Sequence, residues 1–307
     1  MRGKMDCFGL SDAGKVRSVN EDQFLIADLN KSMLIHQTSL SHEDHTRLFG
    51  GSQGKLLLVA DGLGGQAAGR QASALAVQGL ANYVLNTMSW FFRLQEEHEN
   101  DFKEELKAAL EESQRRIEMA AAANPDRRGM GTTLTMAYIL WPRLFVVHAG
   151  DSRCYLKRGK RLEQITTDHT MAQQLVERGA LKPEEAEESR WSHVLWNCVG
   201  GGTHELSSDV YRADLHLGDS ILLCTDGLSK YVPEAQILNL LHPQHSAAEA
   251  CRLLVEAANQ QGGQDNITVV VAHFREIQDE TAAQHQAAAE EAPRAKAAVA
   301  TAAVPAE

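Results

Sequence analysis

Apolar and polar positions alternate in short blocks up to about residue 277, and the block lengths predict the elements. Residues 23–27, 56–60, 132–140, 144–148, 220–225 and 267–274 are apolar runs of strand length, bounded by polar or glycine residues. Leu140-Trp141-Pro142-Arg143-Leu144 reads as a hairpin loop between two of them. Residues 66–94 and 101–123 instead repeat apolar positions at three- and four-residue spacing. In the first, Ala74, Val77, Leu80, Ala81, Val84 and Leu85 predict one apolar stripe, and Asn124-Pro125 ends the second. Shorter helices are expected over 171–179 and 247–260. The order is strands, a long helix pair, strands, then a mixture. That is not the strict alternation of a doubly wound sheet, so it predicts an α+β layered architecture.

Two segments depart from this pattern. Residues 30–54 are polar, carry His36, His42 and His45, and predict an exposed hairpin or loop. Those histidines could bind metal, but their spacing favours solvated surface. From Gln278 onward the chain is alanine and charge with almost no large apolar side chain. Such a segment buries too little surface to offset its ordering entropy, which predicts a disordered or loosely helical tail. A helix formed against a partner is the alternative. The expected division is therefore one domain over 1–277 and a tail over 278–307.

Candidate chemistry appears where the apolar runs end. LLLVA runs into Asp61-Gly62, and ILLCT runs into Asp226-Gly227. Asp265 precedes ITVVVAHF within Gly263-Gln264-Asp265-Asn266. An ionised carboxylate at the end of a buried strand is costly unless positive charge meets it. One Asp-Gly is a common surface turn. Three aspartates on separate strands predict carboxylates gathered at one edge of a sheet core. Hard oxygen donors of that kind suit Mg²⁺ or Mn²⁺.

Charge and cysteine usage narrow the class. A formal net charge of −11 over 307 residues argues against a general nucleic-acid or membrane-surface binder. Cys7, Cys154, Cys198, Cys224 and Cys251 show no C-x-x-C spacing, so neither a disulfide framework nor a thiolate zinc site is expected. Cys224 lies in an apolar run, as a small core residue would. No signal peptide or membrane-length apolar segment is evident, which predicts a soluble, cytoplasmic protein.

Six segments occur in one order: Arg17-Ser-Val-Asn-Glu21-Asp22, Asp61-Gly-Leu-Gly-Gly65, Gly129-Met-Gly-Thr-Thr133, Gly150-Asp-Ser-Arg153, Asp226-Gly227 and Gly263-Gln-Asp265-Asn266. Each alone is weak. Together they resemble the protein phosphatase 2C family of metal-dependent serine/threonine protein phosphatases, in its bacterial branch, over residues 6–274. The resemblance implies a four-layer α-β-β-α sandwich with two central, mostly antiparallel sheets flanked by helix pairs. It implies two divalent cations, Mn²⁺ or Mg²⁺, and hydrolysis of phosphoserine and phosphothreonine by a metal-bridging water or hydroxide. Asp61 would bridge the ions and the Gly62 carbonyl would add a ligand. Asp226 and Asp265 would complete one ion, while Glu21 and Asp22 serve the other directly or through water. Arg17 would grip the substrate phosphate, a role that suits a guanidinium fork.

The same resemblance leaves some roles open. Asp151 supports either a third, weaker metal site or a turn, capping local amides and pairing with Arg153. Thr132 and Thr133 are expected as hydrogen-bonding scaffold. Asn266 is expected to orient Asp265 or to cap local backbone. Leu63 stands where many eukaryotic members have a histidine thought to protonate the leaving oxygen. Metal-bound water or solvent is therefore the expected proton source, with His169 the nearest histidine by sequence. Residues 167–202 resemble the family's flap beside the site; its Trp191 is expected to be more exposed than Trp196, unless both are core anchors. The implied partners are a phosphorylated protein and a cognate serine/threonine kinase of eukaryotic type. A catalytically silent pseudophosphatase acting as a binding module is the alternative, but loss of metal ligands would mark it, and Asp61, Asp226 and Asp265 are all present. No Cys-x5-Arg loop or D-x-D-x-T motif points to another phosphatase chemistry.

Overall fold

Most of the apolar runs become strands buried on both faces, because each sheet is covered on both sides; the run 23–27 lies on a sheet edge and leaves Phe24 exposed. The computed structural model describes residues 3–34, 47–88, 96–202 and 205–276. The chain opens with β1 (Gly3–Asp12), β2 (Gln23–Leu34), β3 (Arg47–Ala60) and the short β4 (Gly62–Leu63). Two long helices follow, α1 (Gln66–Asn86) and α2 (Glu99–Ala123). Then come β5 (Gly131–Thr132), β6 (Leu134–Leu140), β7 (Arg143–Ala149), β8 (Arg153–Arg158) and β9 (Arg161–Gln164). Helices α3 (Met171–Glu177) and α4 (Pro183–Ala186) lead to β10 (Val199–Gly200), β11 (Asp209–Asp214) and β12 (Ser220–Cys224). The last elements are α5 (Asp226–Ser229), α6 (Glu234–Leu240), α7 (Ala247–Gln260) and β13 (Ile267–Glu276).

Two five-stranded antiparallel sheets result, in the orders β1-β13-β12-β8-β9 and β11-β7-β6-β3-β2, with a small ladder β10-β5-β4. Successive side chains on a strand point to opposite faces. Leu56 and Leu58 of β3 face the helix-covered core with α1 and α2, while Leu57 and Val59 enter the layer between the sheets. In β12, Leu222 and Cys224 pack under α7, and Ile221 and Leu223 face the opposite sheet. The order of layers is therefore helix, sheet, sheet, helix, as expected. The two helical covers differ, since one is the long α1–α2 pair and the other is α7 with the short α5 and α6.

Some boundaries and faces differ from the sequence expectation. In α1 the buried stripe is Ala68, Ala72, Ala76, Leu80 and Val84; Ala74 and Ala81 are half-buried and Leu85 is 55% exposed. Small alanines let α1 lie close to α2 and the sheet, so the narrow four-residue row wins over the larger side chains. Strands β1, β8, β9 and β11 were not expected, because polar residues interrupt their apolar positions. The pairing of β2 with β3 extends from Gln23↔Ala60 out to Leu34↔Arg47, so residues 30–34 and 47–54 belong to a paired strand ladder. His36, His42 and His45 lie outside the described residues, as does the tail from Gln278. The expected hairpin loop over 140–144 is a two-residue turn, Trp141-Pro142, between the paired ends of β6 and β7, with a cis Trp141–Pro142 peptide. Helix α7 is capped by Ser246, whose Oγ accepts from the Glu249 amide at 3.1 Å, and by Asp6 of β1, which accepts from the Ala247 amide at 2.9 Å.

Phe102 pins α2 to the sheet. It is fully buried and meets Tyr138 and Phe145 edge-on, at centroid distances of 5.1 and 4.8 Å. Phe102→Ala is expected to lower unfolding stability by about 3–5 kcal/mol through lost burial and a cavity. Urea denaturation checks this, and a loss below about 1 kcal/mol contradicts it.

Candidate metal centre

The two Asp-Gly pairs sit where backbones touch. A Cβ on Gly62 would lie 2.3 Å from the Gly69 carbonyl oxygen, and one on Gly227 would lie 1.9 Å from that of Asn266. Glycine is therefore required after both aspartates by close approach. Asp61 is fixed by its own backbone: its amide donates to Thr133 Oγ1 at 3.0 Å, and its carbonyl accepts from Thr132 Oγ1 at 2.7 Å and the Thr133 amide at 2.9 Å. Thr132 and Thr133 are scaffold, as expected. Asn266 acts on backbone more than on Asp265. Its Nδ2 donates to the carbonyls of Ala13 and Val19, both at 3.0 Å, and its Oδ1 accepts from the Glu21 amide at 2.9 Å. One side chain thus clamps the β1–β2 loop, which carries Arg17, Glu21 and Asp22, against the start of β13.

The carboxylates gather at the junction of the two sheets rather than at one edge of a single sheet. Asp61 comes from β3 in one sheet; Asp226 and Asp265 flank β12 and β13 in the other. Asp61 is half-buried by exposed area yet closely ringed by protein, as a side chain at the floor of an open cleft is. Burial and the charges of Asp22, Asp226, Asp151 and Asp265 push its carboxyl well above the usual range. Asp22 is buried, accepts from Thr225 Oγ1 at 2.9 Å, and is pushed up to about 7, chiefly by burial. Burial also raises Glu21. Asp151 is pushed up to about 6, first by burial and then by Asp226.

Protein cations hold part of this charge. Lys230 Nζ donates to Asp226 Oδ2 at 2.6 Å and to Asp151 Oδ2 at 3.0 Å. Arg17 donates to Asp265 Oδ2 at 2.8 Å, with its side chain 54% exposed at the rim. Among the described residues no three ligating side chains are drawn to a common point. Glu21 Oε1, Asp22 Oδ1 and Asp226 Oδ1 are buried and accept no hydrogen bond. Buried carboxylate oxygens without partners, beside repelling neighbours, suit hard divalent cations.

One expectation changes. Asp151 does not pair with Arg153, whose Nε and Nη2 grip Asp168 at 3.0 and 2.8 Å, while Asp151 pairs with Lys230. His169 is buried beneath the Gly150-Asp151 turn. Its Nδ1 accepts from the Gly150 amide at 3.2 Å and from Asn197 Nδ2 at 2.7 Å, which assigns the proton to Nε2, facing Asp209 at 3.2 Å. Its ring packs between His148 and Trp196. Burial holds His148 down to about 4, so it stays neutral. Trp191 is 37% exposed under the Arg190 guanidinium, whereas Trp196 is half-buried, so one tryptophan anchors the flap and the other faces outward. Between flap and site lies a cavity of about 470 Å³, lined by Arg153, Asp168, Gln173, Glu187, Lys230 and Tyr231 among others.

Lys230 was missed from sequence. Its four-residue spacing from Asp226 was the available signal, but the link to Asp151 crosses 79 positions. The Asn266 clamp was likewise invisible in its target.

Comparison with known proteins agrees with this geometry. The sequence pattern described as Protein phosphatase 2C matches residues 35–262. Serine/threonine protein phosphatase PstP of Mycobacterium tuberculosis is 39% identical over 71% of this chain, a match spanning only 40% of that relative's length. Protein phosphatase PhpP of Streptococcus pneumoniae is 31% identical over 79% of this chain and 95% of its own. The crystal structure of the PstP catalytic domain in complex with 2 manganese ions superposes with a TM-score of 0.68 at 34% identity, covering 89% of this chain and 99% of that one.

Protonation of Asp22 sets a pH signature for the metal-free protein. A carboxyl raised on folding stabilises the fold when protonated; that contribution is complete below the unfolded value of about 3.9. It is lost as pH rises through the folded value of about 7. Asp22→Asn, which cannot ionise, is expected to stabilise the metal-free protein at about pH 8 by on the order of 2 kcal/mol. The gain shrinks as pH falls toward about 4. Urea unfolding in chelator measures it, and a gain that is absent or grows on acidification contradicts the reading.

Proposed function

Since the chain belongs to the protein phosphatase 2C family, we propose that it hydrolyses phosphoserine and phosphothreonine in proteins with two divalent cations, manganese or magnesium. The supporting observation is the mutual charge repulsion among Asp61, Asp22, Asp226 and Asp265, with buried oxygens of Glu21, Asp22 and Asp226 left unpartnered. Asp61, with the Gly62 carbonyl, is assigned between the two ions; Asp226 and Asp265 hold one, and Glu21 and Asp22 serve the other. Bound there, the ions supply positive charge against phosphoryl oxygens and lower the pKa of a coordinated water.

The remaining roles belong to the chain's own groups. Arg17 stands at the rim beside Asp265 and is assigned to the substrate phosphate, turning from carboxylate to phosphoryl oxygen when both are present. Leu63 offers no proton, and His169 is committed to Asn197, Gly150 and Asp209, so the leaving oxygen takes its proton from water. The flap cavity is assigned to the peptide on either side of the phosphorylated residue. A serine/threonine kinase is the enzyme class that makes such a substrate. The catalytic unit is assigned to 1–277. No helix among the described residues is long and apolar enough to cross a membrane, and all five cysteines are free, which suits a cytoplasmic setting. A silent binding module is not favoured, because the acidic set is retained.

Asp226→Asn is expected to lower manganese-dependent hydrolysis of an aryl phosphate by at least about 100-fold. Arg17→Ala should raise KM about 10-fold or more with manganese affinity unchanged, the scale of one charge-assisted hydrogen bond. Full activity in the first variant overturns the ligand assignment. Loss of metal affinity alone in the second overturns the phosphate role.

A further inference from the structure

Among the described residues, Lys230 bridges two of the acids. Its ammonium bonds Asp226 Oδ2 at 2.6 Å and Asp151 Oδ2 at 3.0 Å. The three side chains are 17%, 16% and 6% exposed in the order Lys230, Asp226, Asp151, so this is no surface ion pair screened by water. The geometry divides Asp226: one oxygen is held by the ammonium, while Oδ1 is buried and unpartnered. Asp151 lies beyond the ammonium, and Arg153, its neighbour two residues on, is taken by Asp168. The sequence expectation of a third, weaker metal at Asp151 needs that same space and those same oxygens.

We propose that the Lys230 ammonium is a resident cation of this acidic cluster, filling the place between Asp151 and Asp226 so that the chain takes two divalent ions and no third. The inference rests on the two-ion reading above. An ammonium and a divalent ion cannot share one pair of carboxylate oxygens, because the cations repel at contact distance. The lysine is covalently tethered, so its charge is present at any metal concentration. Its short path from Asp226, one helical turn along the chain, keeps it within reach. Lys230 is then a positioning residue: it holds Asp226 so that its free oxygen is presented to the divalent ions, and it fixes Asp151 as a counter-charge rather than a ligand. It also forms part of the wall of the flap cavity, so the positive charge is shared between the acid cluster and the space beside it.

The test is the stoichiometry of Mn²⁺ bound to the full chain, by equilibrium dialysis with metal analysis and by electron paramagnetic resonance of free Mn²⁺. The wild-type chain is expected to stop at two ions up to millimolar Mn²⁺. Lys230→Asp is expected to take a third, bound about 10-fold or more weakly than the others. Lys230→Met, which keeps the packing of the stem and drops the charge, opens the same place, so a gain in either folded variant supports the proposal. A third ion on the wild-type chain overturns it, as does the absence of any gain in both folded variants. Fewer than two ions on the wild-type chain overturns the two-ion reading beneath it, an outcome recognisable as different.

Discussion

Electrostatic repulsion among carboxylates at the junction of the two sheets is the constraint that organises this molecule. Asp61 feels Asp22, Asp151, Asp226 and Asp265, and burial denies these groups the water that would separate their charges. Left alone, such a cluster takes up protons or pushes apart. The fold opposes both with hydrogen-bond anchors. Thr132 and Thr133 grip Asp61, Thr225 grips Asp22, and Asn266 ties the β1–β2 loop to β13. The sandwich core supplies the rigid ends from which these anchors work, and its stability allows the unfavourable charge to be held in place. Cations relieve the repulsion, and the chain provides two from its own side chains, Arg17 and Lys230.

Positioning depends on contacts between segments far apart in sequence. The two glycines after Asp61 and Asp226 are needed because other backbone passes within van der Waals reach. His169 carries this logic one layer outward. It joins the Gly150 turn, the flap at Asn197 and the β11 residue Asp209, so the flap and the Asp151 turn share one buried hub.

Much of this was legible in the sequence, for identifiable reasons. Runs such as LLLVA and ILLCT are buried on both faces, so their apolar character is continuous and unmistakable, and each ends on the residue it delivers. β1 and β11 lie at sheet edges with polar residues among their apolar ones, and that pattern is also what a loop looks like. The stripe of α1 was caught at Leu80 and Val84 and missed at Ala68, Ala72 and Ala76, because alanine carries little hydropathy, although small size is what lets the helix approach. Asp61, Asp226 and Asp265 announced themselves through strand ends and glycine. The partner of Asp151 did not: Arg153 is two residues on in sequence, but the strand turns it toward Asp168, and the lysine that reaches Asp151 arrives from another segment. Local spacing reports pairs on one element, whereas side chains meeting across a cleft leave no local trace.

The central claim is that the acids from both sheets surround a common pair of divalent ions. Anomalous diffraction at the manganese edge, from crystals of the full chain soaked in Mn²⁺, addresses it directly. The account predicts two peaks about 3.5–4 Å apart with Asp61 between them. An empty map at the cluster, or peaks that avoid Asp61, Asp226 and Asp265, would contradict it.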